Sequence, residues 1–117
     1  MPSEGIISRL ELLELMKTNN FLLIDVRTPS EVASGKIVNS HNIPLNALSE
    51  ALSMSNNNFK QNFGFTKPSK TDKLVFYCRS GARAQSATQI AKNAGYSNVL
   101  NYQGSWNEWS SYLNEAN

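Results

Sequence analysis

One cysteine and one histidine are all that this 117-residue sequence has of the residue types that most often bind metal or form cross-links. With Cys78 alone no intramolecular disulfide can form, and with His41 alone no zinc site of the usual Cys and His composition can be assembled. Long apolar runs are also missing. The longest, Phe21 to Ile24 and Leu74 to Cys78, fall far short of the roughly 20 residues that span a bilayer, so no membrane segment is expected. Charge of one sign is scarce too. Eleven basic residues stand against nine acidic ones, for a formal charge of +2, and no five-residue window is a Lys/Arg block, which disfavours nucleic acid as a partner. The opening stretch MPSEGIISRLELLE has neither the basic start and apolar core of a secretory signal nor the Arg-rich character of a transit peptide, and points to a cytosolic (cytoplasmic) protein. What remains is an ordinary globular composition, 40% apolar and 17% charged, long enough for one core and one domain over residues 1–117.

Short apolar runs alternate with amphipathic segments, the pattern of an α/β fold. A short strand is expected at Ile6-Ile7. A helix follows, with Ser8 as its cap, Glu11 as the capping-box partner and Leu10, Leu12, Leu13, Leu15 and Met16 as its apolar stripe, until Thr18-Asn19-Asn20 ends it. Phe21 to Val26 is apolar on both faces, as in a buried parallel strand. Pro29 opens a helix, Lys36-Ile37-Val38 reads as a brief strand, and Leu45, Leu48 and Leu52 fall at helical spacing. Phe59 to Gly64 adds a turn of helix, and Lys67 to Lys70 is a loop. Lys73 to Cys78 is a strong strand. Arg83 to Asn93 is a helix with a stripe of Ala84, Ala87, Ala91 and Ala94, capped by Gly95. Ser97 to Tyr102 forms the last strand, and Ser105 to Leu113 the last helix.

Cys78 ends a buried strand, and the six residues from Cys78 to Arg83 turn straight into a helix. In α/β sheets ligands bind beyond the carboxyl ends of the strands. A helix amino terminus presents backbone N–H groups to whatever lies there, so an anion is the natural guest. That field, reinforced by Arg79 and Arg83, favours thiolate and makes Cys78 the candidate nucleophile. The plain alternative is a buried, inert packing cysteine. Loop length narrows the chemistry. The tyrosine-phosphatase loop places Arg after five intervening residues, whereas here four intervene and position 84 is Ala, too short a ring for a phosphoryl group.

The sequence resembles the single-domain rhodanese family, and in particular its small eukaryotic thiosulfate:glutathione sulfurtransferases. The resemblance is carried by DVRTPSEVASGKIVNSHNIPL, by the loop CRSGAR and by GYSNVLNYQGSWNEW, and spans nearly the whole chain. It implies a central, mainly parallel five-stranded sheet flanked by helices on both faces, with catalytic Cys78 at the base of a cradle formed by Arg79, Ser80, Gly81, Ala82 and Arg83. It also implies an activity: sulfane sulfur moves from thiosulfate to Cys78 as a persulfide, sulfite leaves, and glutathione, thioredoxin or another thiol collects the sulfur. No metal or organic cofactor is needed, because sulfur is the group transferred. Two rival readings are a persulfide carrier or protein-interaction module without turnover, and phosphatase or arsenate-reductase chemistry on the same loop.

Other polar residues have plainer readings. Asp25 and Arg27 suit a structural pair at a strand end, and His41 a surface position. Ser80 suits the cap of the helix that follows it. Trp109 suits the core, while Trp106, just past Gly104, is a candidate border of the active-site mouth. Lys67, Lys70 and Lys73 read as a solvated cluster.

Overall fold

Phe21 to Val26 is apolar on both faces because both faces are covered. The computed structural model describes residues 5–116; residues 1–4 and 117, which the expected domain 1–117 includes, lie outside the described residues. Strand β1 (Ile6–Ile7) is followed by helix α1 (Arg9–Thr18), β2 (Leu22–Asp25), α2 (Pro29–Ala33), β3 (His41–Asn42), α3 (Leu45–Ser53) and α4 (Asn56–Phe63). Then come β4 (Leu74–Tyr77), α5 (Ala82–Asn93), β5 (Val99–Tyr102) and α6 (Ser105–Ala116). The five strands pair in the order β1-β5-β4-β2-β3, every pair parallel. This five-stranded sheet, covered by helices on both faces, is the architecture that the resemblance implies.

Each face of the sheet has its own core. On one, Ile24, Leu74 and Phe76 pack with Leu48, Phe59 and the alanines of α5. On the other, Leu23, Val75 and Tyr77 pack with Leu12 of α1 and Trp109 of α6. Fully burying an aliphatic or phenyl side chain contributes roughly 1.5–3 kcal/mol, and Leu12, Leu48, Phe59 and Phe76 are all completely buried. Ala84, Ala87 and Ala91 are buried too, so the small-residue stripe is the side that α5 turns inward. In α1 the stripe is narrower than its sequence suggests. Leu12 is buried, whereas Leu10 is 66% exposed.

Local signals explain most boundaries. Ser8 and Glu11 form the expected reciprocal capping box, and Asn19 ends α1 in the left-handed conformation. Thr28 and Glu31 form a second capping box at α2, with Pro29 in the first turn. One strand is misplaced by the sequence reading. Lys36-Ile37-Val38 pairs with no neighbour, and the edge strand forms instead at His41–Asn42, in register with Ile24 and Asp25. The physical reason is Tyr77, whose buried hydroxyl accepts the Ile37 N–H at 3.0 Å and lies 2.9 Å from Ser40 Oγ. A side chain thus takes the bond that a strand would have used. His41 is not a plain surface residue either. It is half-buried and its ring stacks on Phe65 at 4.1 Å, and burial together with Lys36 pushes its pKa down.

Candidate active site

Cys78 follows directly on β4, the middle strand of the sheet, and α5 begins four residues later. Its side chain is buried, with the residue 1% exposed. The Gly81 N–H donates to Cys78 Sγ at 3.0 Å and the Ala84 N–H at 3.4 Å. Sulfur therefore occupies the acceptor position that a capping oxygen takes at an ordinary helix start. The expected Ser80 cap is not formed. Gly81 is the cap residue and has no side chain to cap α5, and Ser80 is exposed on the loop. The bend at Gly81 turns the amino end of α5 onto the sulfur instead. That bend needs glycine: its φ is +102°, and a Cβ there would lie 2.6 Å from the Gln103 carbonyl oxygen.

The two loop arginines have different surroundings. Arg83 is half-buried and donates from both terminal nitrogens to Glu31, at 2.8 and 2.9 Å. This pair, with the Thr28 N–H that also binds Glu31, holds the Glu31 carboxyl well below the usual carboxylate range, and Glu31 raises the Arg83 pKa in turn. Arg79 is exposed and pairs with no acidic side chain among the described residues. It borders an open cavity of about 310 Å³ together with Glu31, Ser34, Trp106 and Asn107. Ala82 is exposed in the first turn of α5. The loop residues 78–83 thus surround one helix start, but only Arg79 brings a cation without a protein counter-ion.

Asp25 and Arg27 form the structural pair that their positions suggest. Arg27 Nη2 lies 2.7 Å from Asp25 Oδ2, both side chains are buried, and the same nitrogen donates to the Gly35 carbonyl at 2.7 Å. The Arg27 guanidinium also lies 5.1 Å from the Trp106 ring centre. Trp106 is half-buried on the wall of the Arg79 cavity, while Trp109 is in the core.

Two residues beside the site have partners that their place in the sequence does not reveal. Glu31 is legible as a capping residue from Thr28-Pro29-Ser30-Glu31, but its partner lies 52 positions away. Ser105 is fully buried, and its Oγ accepts the Cys78 N–H at 3.1 Å. Among the described residues, no group of three His, Cys, Asp or Glu side chains is placed to hold a metal ion, and no helix is long and apolar enough to cross a membrane.

Residues 8–112 match the rhodanese-like domain family. The chain is 46% identical over 76% of its length to a putative mitochondrial thiosulfate sulfurtransferase of Schizosaccharomyces pombe, of which the match spans 63%. It is 38% identical to the human thiosulfate:glutathione sulfurtransferase, over 88% of this chain and 90% of that one. The structure of the human single-domain sulfurtransferase TSTD1 superposes with a TM-score of 0.90 at 36% identity, covering 93% of this chain and 97% of that chain. The cytoplasmic expectation is overturned by these names. The S. pombe relative is named mitochondrial, as is thiosulfate sulfurtransferase RDL2 of Saccharomyces cerevisiae, 41% identical over 75% of this chain. The make-up of one short opening stretch does not decide a protein's address.

Proposed function

This chain belongs to the rhodanese family, and from that premise we propose that it is a thiosulfate sulfurtransferase that passes sulfane sulfur through Cys78 to a small thiol such as glutathione. The observation that carries the reading is Cys78 Sγ seated at the start of α5, accepting the Gly81 and Ala84 N–H groups. Donors fixed there stabilise the negative charge that sulfur carries during transfer, without reorganising as charge moves.

In the first half-reaction the Cys78 thiolate attacks the outer sulfur of thiosulfate. A new S–S bond forms, the S–S bond of thiosulfate breaks, and sulfite leaves with the electron pair. In the second, an acceptor thiolate attacks the terminal sulfur of the persulfide and restores the Cys78 thiolate. Arg79, exposed at the mouth, draws in the dianionic donor and stabilises departing sulfite. Arg83 carries charge in the same loop, oriented by Glu31. The names of human and yeast relatives support glutathione as acceptor, and those of two relatives support a mitochondrial setting.

Intact mass tests the relay. After incubation with thiosulfate and desalting, the protein is expected to gain about one sulfur, which glutathione removes, and Cys78→Ser to gain none. An unchanged mass in the unaltered protein would sink the reading.

A further inference from the structure

Parallel strands β4 and β5 pair through Leu74↔Val99, Val75↔Leu100 and Phe76↔Asn101. One residue beyond β4, at Cys78, the two chains are joined differently. The Cys78 N–H donates to Ser105 Oγ at 3.1 Å, and Ser105 Oγ donates to the Tyr102 carbonyl at 2.9 Å. A hydroxyl thus bridges the end of one strand and the end of the next. The bridging oxygen lies beside the sulfur: Ser105 Oγ is 4.0 Å from Cys78 Sγ.

Ser105 occupies this place against its backbone preference. Its φ is +56°, a region that non-glycine residues enter rarely. It is also completely buried. The turn it opens continues the grip, since the Trp106 N–H donates to the Cys78 carbonyl at 2.9 Å and the Asn107 N–H to the Arg79 carbonyl at 3.0 Å. Both backbone polar groups of Cys78 are thus held by the first two residues of α6. On the far side, the sulfur is held by the first turn of α5.

We propose that Ser105 is a positioning residue for Cys78: its buried hydroxyl spaces the ends of β4 and β5 so that the sulfur meets the N–H groups of Gly81 and Ala84. It acts through the Cys78 backbone and needs no contact with substrate. The proposal deepens the sulfurtransferase reading and rests on it only for the kinetic part of its test.

Ser105→Ala keeps the strained backbone and removes the hydroxyl, so that nothing links the Cys78 N–H to the Tyr102 carbonyl. Ser105→Gly relieves the backbone and leaves a space. Each variant is compared with the unaltered protein for thermal midpoint, for the rate at which iodoacetamide alkylates Cys78, and for single-turnover persulfide formation over a range of thiosulfate concentrations. Misplaced sulfur predicts that, in folded protein, maximal persulfide formation falls roughly tenfold or more while half-saturating thiosulfate is unchanged. Alkylation is expected to slow in parallel. Ser105→Gly keeps the comparison open if the alanine variant does not fold. A folded variant of either kind that forms persulfide and is alkylated at the unaltered rates would overturn the proposal. Alkylation needs no thiosulfate, so it reads the position of the sulfur even if the sulfurtransferase reading fails.

Discussion

Glu31 and Arg83, 52 positions apart, meet in a two-point ion pair at 2.8 and 2.9 Å that ties α2 to the loop after Cys78. Glu31 is at the same time the capping-box residue of its own helix. One carboxylate thus fixes a helix start and an arginine of the Cys78 loop.

Replacing Glu31 by Gln separates the two roles, because glutamine can still accept the Thr28 N–H. The folded state holds the Glu31 carboxyl below its ordinary range, so its contribution is complete above the unfolded pKa and is lost as the pH falls. At pH 7 Glu31→Gln is expected to be less stable by about 1 kcal/mol, a modest figure for a partly exposed pair. The gap narrows as the pH drops below about 4, where an unfolded glutamate takes up its proton. Urea midpoints of both proteins across pH 3 to 7 check the sign; a gap that widened in acid would contradict it.

Arg79 is the exposed cation of the loop. Arg79→Gln is expected to raise the thiosulfate KM about two- to fivefold, the range for one solvated charge, with a thermal midpoint within error of the original. Added salt is expected to shrink the difference by screening. A KM that does not move would remove Arg79 from donor binding.

Gly81 and Gly64 provide a paired test of the bend. Both have positive φ, but a Cβ at Gly64 meets nothing within 4 Å, while one at Gly81 meets the Gln103 carbonyl oxygen at 2.6 Å. Gly64→Ala is expected to cost about 1 kcal/mol from the backbone alone. Gly81→Ala is expected to cost about 2 kcal/mol or more, and to slow persulfide formation by moving the N–H that binds the sulfur. Denaturant midpoints give the difference, and equal losses would mean that the contact is relieved by movement.

Asp25→Ala leaves Arg27 buried and charged without its carboxylate. A loss of about 3–5 kcal/mol is expected, as for other broken buried pairs. Chemical denaturation measures it, and a loss under 1 kcal/mol would show that Gly35 and Trp106 suffice to hold the guanidinium.

Residues whose partners lie close in sequence were legible in advance. Ser8 with Glu11, Pro29 at a helix start and the alanine stripe of α5 each carry their own signal, and CRSGAR places Cys78 between a strand and a helix because strand, turn and helix adjoin. Legibility ends where a bond is made across the fold. Ile37 looks like a strand residue until Tyr77, 40 positions on, takes its N–H. Ser80 has the composition of a cap, yet sulfur from Cys78 fills that place. The Cys78 bond to Ser105 spans 27 positions, and neither residue hints at the other.

The strand order also has a consequence for the time at which the molecule becomes itself. Strand β1, made first, finds its partner only when Asn101 and Tyr102 exist, and β4 gains its second neighbour from the same segment. Such long-range pairing is slow to form, and little of it is available to a chain still emerging from the ribosome. The residues that grip the Cys78 backbone come later still, at positions 105 and 106. During synthesis the thiol exists well before the place that shields and orients it, so completion of the sheet and protection of the sulfur are a single, late event.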